Sequence, residues 1–217
     1  MPHPARWSAS AFRAVLAALA VPALLFGTAA PAHAAPPPPP SLAEAREQLA
    51  ALTVEAEGSS SSYDRDLFPH WSPVEGNCNT RETVLRRDGT GVEVGSDCYP
   101  DAGSWTSPYD GATTSVPSEV SVDHMVPLAE AWVSGADTWS TAQREDFAND
   151  LSSPQLWAVS GSSNSSKGDR DPAEWLPPRS EIHCDYVRSW INVKYVWDLS
   201  VNSAERTALG DLLDSAC

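Results

Sequence analysis

The chain is poor in positive charge. Fourteen Lys and Arg stand against 29 Asp and Glu, for a net charge of −15 over 217 residues. A protein that holds nucleic acid through bulk charge is basic, which argues against a DNA-packaging or regulatory role. Any contact with a polyanion must be a local patch of modest, salt-sensitive affinity. A degradative enzyme that releases its product tolerates this; a stoichiometric binder does not. Also missing are internal repeats, a Cys-x-x-Cys pair, and any long apolar run beyond the N-terminus. The second absence argues against a four-cysteine zinc site, and the third leaves nothing in the body of the chain to span a membrane.

The N-terminus carries what the rest lacks. Arg6 and Arg13 precede an apolar run over residues 14–26, and Ala32-His33-Ala34 makes a small-x-small cleavage site. This is the pattern of an export signal removed after Ala34. The run is too short to cross a bilayer and contains Pro22, so the processed chain is expected to be secreted, free of the membrane and monomeric. It is also more acidic, at about −17 without Arg6 and Arg13. Four cysteines remain: Cys78, Cys98, Cys184 and Cys217. An even count in an exported chain argues for two disulfides, for which sequence allows three pairings. The local pairing, Cys78 with Cys98 and Cys184 with Cys217, is preferred. It closes moderate loops and ties the C-terminus to a helix.

The chain divides into a leader (1–34), a spacer (35–62) and one domain (63–217). The spacer comprises a polyproline start, an amphipathic helix over 41–56 and a Ser-rich break. Residues 83–94 are expected to form a hairpin turning on Asp88-Gly89. Residues 100–117, rich in Gly, Pro, Ser and Thr, are expected to be loop. Strands are expected at 119–123 and 156–159. Helices are expected at 128–133, at 140–150 capped by Ser140, from Asn164, over 181–199, and from the Asn202-x-x-Glu205 capping box through 215. The fold class is α+β.

Chemistry concentrates in two segments. In Val122-Asp123-His124-Met125-Val126-Pro127 a strand ends in a carboxylate and an imidazole, then turns at proline. Asp123 is a hard oxygen ligand suited to magnesium or manganese. His124 titrates near neutral pH and can take a proton from water. Phosphodiester hydrolysis uses those two parts, a cation and a base. In the second segment, Asn164 offers a neutral oxygen at a helix start, and Lys167 shares its helix face and faces phosphate.

Strand, Asp123-His124-x-Val126-Pro127, a short strand holding Gln155-Leu156-Trp157, then Asn164-x-x-Lys167-Gly168-Asp169 resembles the ββα-metal finger of HNH nucleases. The wider pattern is similar to the secreted branch related to the C-terminal nuclease domain of GmrSD restriction enzymes. It includes Cys78-x-Thr80-Arg81, Val84-Leu85-x-Arg87-Asp88, Gly103-x-Trp105, Pro108-Tyr109-x-Gly111, Ala129-Glu130-Ala131-Trp132 and Lys194. The resemblance implies an α+β fold with a ββα-metal HNH core, an N-terminal hairpin region and C-terminal helices. It implies Asp123 and Asn164 as ligands of one divalent cation, magnesium or manganese rather than zinc, and His124 as general base. Lys167 and Arg81 would offset phosphate charge. Gln155, one methylene longer than the central Asn of the HNH pattern, would brace the loop between the strands. The implied partner is a nucleic acid, DNA or RNA, cut as an endonuclease cuts. Two other readings fit the same residues: a secreted phosphodiesterase for a different phosphoester, and a binding module with a vestigial site.

Overall fold

In a computed structural model, residues 1–3 and 35–217 are described; the expected leader peptide and its cleavage site lie outside them. Capping chemistry sets where the first elements begin. Helix α1 (Leu42–Ala51) opens on a capping box in which Ser41 and Glu44 satisfy each other's backbone N–H. The short strands β1 (Pro73–Glu75) and β2 (Cys78–Asn79) pair antiparallel. Helix α2 (Thr80–Asp88) starts at a second capping box, Asn79 with Glu82, and ends on Arg86 and Arg87 in its last turn. The expected hairpin at residues 83–94 is therefore wrong in its first half. The Asn79-x-x-Glu82 start outweighs the Asp88-Gly89 turn signal, and Gly89 instead follows the helix.

The hairpin in this region lies further on. Strand β3 (Thr90–Val94) pairs with β4 (Pro100–Thr106), and β4 pairs with β5 (Thr113–Thr114). Much of the stretch expected to be loop is thus β4. Composition hid it, because its glycine is used for close approach. A Cβ on Gly103 would sit 2.7 Å from the Trp105 ring, which is buried with its indole N–H donating to Leu85 O at 2.8 Å.

Strand β6 (Val120–His124) pairs antiparallel with β7 (Leu156–Ser160), Asp123 opposite Trp157. Between them run α3 (Leu128–Val133) and α4 (Thr141–Ala148), the latter opened by a Ser140–Gln143 capping box. Helix α5 (Gly161–Lys167) follows β7 directly and packs on both strands. It is capped by Ser160, so Asn164 lies one turn inside the helix rather than at its start. Helices α6 (His183–Val196) and α7 (Ser203–Ser215) complete the chain, the last opened by Asn202 and Glu205. The fold is α+β.

The β6–β7 ribbon separates two cores. Val120, Val122, Leu156 and Ala158 pack with Val84, Leu85 and Trp105 on the α2 side. Trp157 and Val159 face a larger cluster built by α1, α3, α4, α6 and α7. Ala45, Leu49 and Leu52 belong to that larger cluster, and α1 packs on α6 and α7. Residues 35–62 are therefore no spacer: α1 is part of the domain, because its apolar face finds a groove between the C-terminal helices.

The disulfides pair Cys78 with Cys98 and Cys184 with Cys217, the local arrangement. The second joins the start of α6 to the C-terminus across 33 residues. Replacing Cys184 and Cys217 by Ser should lower the unfolding free energy by about 3–4 kcal/mol, the loop-closure value for that span. Urea unfolding would read this as a lower midpoint. A loss under about 0.5 kcal/mol, the size of an ordinary surface change, would show that the bridge restrains little.

Candidate functional site

The site forms where the two-residue period of a strand meets the helical period. Ser121 and Asp123, two apart on β6, share one face. Asn164 and Lys167, three apart on α5, share another. The two faces meet: Asn164 Nδ2 donates to Ser121 Oγ at 2.6 Å, and Lys167 Nζ donates to Asp123 Oδ2 at 2.6 Å. Lys167 also donates to His124 O at 2.6 Å, and Tyr109 Oη donates to Asp123 Oδ2 at 2.7 Å. Asp123 thus takes two hydrogen bonds on one oxygen. Among the described residues, nothing bonds Oδ1. The Asn164 amide oxygen is likewise unbonded, held in orientation by the contact through its nitrogen.

The side chain of Asp123 is nearly buried and that of Lys167 wholly so, at 4% and 0% exposure. Burial pushes the Asp123 carboxyl up, and the Lys167 charge and the hydrogen bonds from Lys167 and Tyr109 pull it back. Burial also drives the Tyr109 hydroxyl well above its usual value, with the Asp123 charge adding to it, so Tyr109 stays a proton donor. Lys167 was expected to meet phosphate; instead it is sealed against Asp123. Asp110 fixes the start of α5 by accepting from Ser160 Oγ at 2.5 Å and Ser163 Oγ at 2.8 Å.

His124 ends β6. Its Nε2 lies 3.0 Å from Ala148 O; a carbonyl can only accept, so the proton is on Nε2 and Nδ1 is the basic nitrogen. Burial drives its pKa down to about 3, the Ala148 bond opposing and the charges of Arg65 and Lys167 assisting. The ring is neutral at pH 7. Trp71 stacks on it, centroids 5.7 Å apart and planes 23° apart. Trp71 has φ of 63°, left-handed backbone that a bulky residue rarely adopts, at a cost of about 1–3 kcal/mol. Gln155 closes the strand end. Its Oε1 accepts from Val126 N at 3.0 Å and its Nε2 donates to Val126 O at 2.9 Å, so the long amide spans the turn that carries His124 toward Pro127.

Asp123, His124 and Asn164 line one small polar cleft of about 60 Å³, together with Arg65, Gly168 and Asp169. Of the residues expected at the site, Lys167 supports it from beneath. Arg81 lies outside the cleft lining: its guanidinium donates to Pro117 O and Val120 O, at 3.3 and 2.9 Å, and so braces the entry to β6. Arg65, Trp71 and Tyr109 are additions. Trp71 and Arg65 sit in a mixed polar and aromatic stretch without periodicity, and only the density of aromatics there hinted at a role.

Among the described residues, no group of three or more His, Cys, Asp and Glu side chains could hold a metal ion. The cleft instead offers oxygen donors: the Asp123 oxygen without a hydrogen bond, the Asn164 amide oxygen and the Asp169 carboxylate. That donor set fits a hard cation that keeps most of its waters, such as magnesium, and does not fit zinc.

The family described as GmrSD restriction endonucleases, C-terminal domain, matches residues 98–212. A protein of Arthroderma benhamiae named "Uncharacterized secreted protein" is 52% identical over 204 residues, covering 94% of this chain and 98% of that protein. No solved structure matches the chain. No helix among the described residues is long and apolar enough to cross a membrane. With two disulfides and a secreted relative, the chain is a secreted protein.

Two outcomes follow from the buried charges. Lys167→Met leaves the Asp123 carboxylate buried without its partner, a change worth about 3–5 kcal/mol; a thermal midpoint within 1 °C of the parent would contradict the burial seen here. His124 titrates near 6.5 unfolded and about 3 folded. Its contribution to stability is therefore complete above pH 6.5 and is lost as pH falls from 6.5 toward 3. At about 1.4 kcal/mol per unit, the loss is on the order of 5 kcal/mol. Urea unfolding at pH 7, 5 and 4 should show a shallower decline for His124→Gln than for the parent. Parallel declines would mean the imidazole does not carry the acid sensitivity.

Proposed function

Because the chain belongs to the family of the GmrSD restriction endonuclease C-terminal domain, a nuclease-type domain, we propose that it is a secreted, metal-dependent endonuclease. Its substrate is a nucleic acid, DNA first and RNA second, and it works as a single chain. The observation that carries this reading is the cleft that Asp123, His124 and Asn164 share. A ββα arrangement of β6, β7 and α5 supports it, as the ββα-metal core of HNH nucleases would be built.

Asp123 Oδ1 and the Asn164 amide oxygen are the protein ligands in this reading. Magnesium or manganese bound there supplies the positive charge that polarises the phosphodiester. His124 takes the proton from the attacking water at Nδ1, while Nε2–H stays on Ala148 O and fixes the tautomer. A pKa near 3 makes the free ring a weak base. The phosphodiester anion beside it would raise its proton affinity, and the cation held at Asp123 would lower it. Trp71 holds the ring plane, and Gln155 holds the strand end that carries it. Lys167 and Tyr109 orient Asp123 from the side away from the cleft.

The test uses the secreted form from Ala35 onward with both disulfides formed. It is incubated with plasmid DNA, with RNA and with a small chromogenic phosphodiester, in magnesium, manganese or EDTA. Cleavage of the polymers in metal, loss in EDTA, and a fall of at least about 100-fold in Asp123→Ala and His124→Ala is the expected result. Equal cleavage by the variants, or none by the parent in any metal, sinks the nuclease reading. Turnover of the small ester alone would assign another phosphoester.

A further inference from the structure

With Lys167 and Arg81 turned to other tasks, the cleft needs a different partner for phosphate. We propose that Arg65 is the side chain that binds the substrate phosphate; this rests on the phosphodiesterase reading of the same cleft.

The cations around the site are mostly committed. Lys167 is buried on Asp123 and His124 O. Arg81 is spent on two carbonyls ahead of β6. Arg170, just past α5, donates back to Lys167 O and Ser166 O. Arg65 differs. It is exposed, lines the cleft beside Asp123, His124 and Asn164, and forms no ion pair with a carboxylate among the described residues. Asp169 lines the same cleft and is not within ion-pair distance of it.

The backbone beneath Arg65 is rigid, while its side chain lies beside the Tyr63 hydroxyl and has no carboxylate partner among the described residues. It begins a 3-10 turn, Arg65–Leu67, capped by Asp64, whose Oδ1 accepts from Asp66 N at 2.9 Å. Arg144 Nε donates to Leu67 O at 2.9 Å. Phe68 is fully buried and meets Tyr63, Trp132 and Phe147 edge to face or tilted. The turn is thus pinned to the large core a few residues from the stack of Trp71 on His124. An anchored backbone whose guanidinium has no carboxylate partner presents a planar fork at low ordering cost, the geometry that suits two phosphate oxygens. Lysine at this position would keep the charge and lose the fork.

Net charge sharpens the assignment. A chain at −15 repels a polyanion everywhere else, so attraction must come from the few cations facing the cleft. Arg65 also lies upstream of residues 98–212, the part matched by the family. The N-terminal third therefore contributes to substrate binding as well as to packing.

The experiment compares Arg65→Ala and Arg65→Lys with Arg179→Ala. Arg179 is also exposed, meets Glu181 only at 3.8 Å and lies outside the cleft lining. It therefore controls for losing one positive charge. Two readouts are taken in parallel: kcat and KM on an oligonucleotide in manganese, and anisotropy of the same fluorescent oligonucleotide in EDTA, where nothing is cut. Arg65→Ala should lose roughly 10- to 100-fold in kcat/KM and in binding, the range for one charge-assisted pair. Arg65→Lys should recover part of this, and Arg179→Ala should stay within two-fold. All three should keep the parental unfolding midpoint. Equal losses in Arg65→Ala and Arg179→Ala, or none in either readout, overturn the assignment. Should the parent fail to cleave, the nuclease reading falls and the binding arm decides Arg65 alone: a loss confined to Arg65→Ala upholds a phosphate contact, and no loss refutes it.

Discussion

The buried pair of Lys167 and Asp123 is the constraint on which the site depends. Taking two charges out of water costs several kcal/mol each, repaid only by close geometry and further hydrogen bonds. Here the 2.6 Å contact, the Tyr109 hydroxyl and the His124 carbonyl make that repayment. Because both donors to Asp123 fall on Oδ2, they hold the carboxylate and leave Oδ1 without a hydrogen bond among the described residues. The pair also sets how α5 lies on β6, since Asn164 then has to meet Ser121. One interaction thus ties the strand that carries Asp123 to the helix that carries Asn164.

Behind this pair stands a second buried charge cluster, joined to it by one indole. Lys167 Nζ and Lys194 Nζ each sit 5.9 Å from the Trp190 ring. The Trp190 indole N–H donates to Glu205 at 2.6 Å, and Lys194 bonds Glu130 and Glu205. Helices α3, α6 and α7 are therefore knit by polar groups at the point where the apolar core reaches the site. Glu205 is pushed up to about 7 by burial above all, with Lys194 opposing and the Glu130 charge adding a smaller push. Fully satisfied networks of this kind rigidify the elements that carry them.

Much of the architecture was legible in the sequence where a local signal had no rival. Strands β6 and β7 lie within a residue of expectation because valine alternation and the Pro127 break agree. Helices α4 and α7 start where Ser140 and Asn202 cap them. Signals that competed were misread. Asp88-Gly89 masked the Asn79 capping box, and the glycine of β4 looked like loop until its contact with Trp105 explained it. Tertiary placement was least legible. Lys167 resembles a surface lysine at helical spacing, and nothing local says that β6 will place a carboxylate over it. Arg65 reaches the cleft from a turn pinned by an aromatic cluster, and Trp71 meets His124 from a left-handed backbone, neither of which has a period to detect.

The chemistry proposed for this acidic secreted chain rests on a few atoms of one cleft, and those atoms can be observed directly. Crystals grown with manganese, measured near its absorption edge, should give an anomalous peak about 2.1 Å from both Asp123 Oδ1 and the Asn164 amide oxygen, with Lys167 still on Oδ2. A peak bound elsewhere, or a cleft without manganese while Lys167 remains paired, would contradict the claim that this ion pair presents a metal ligand.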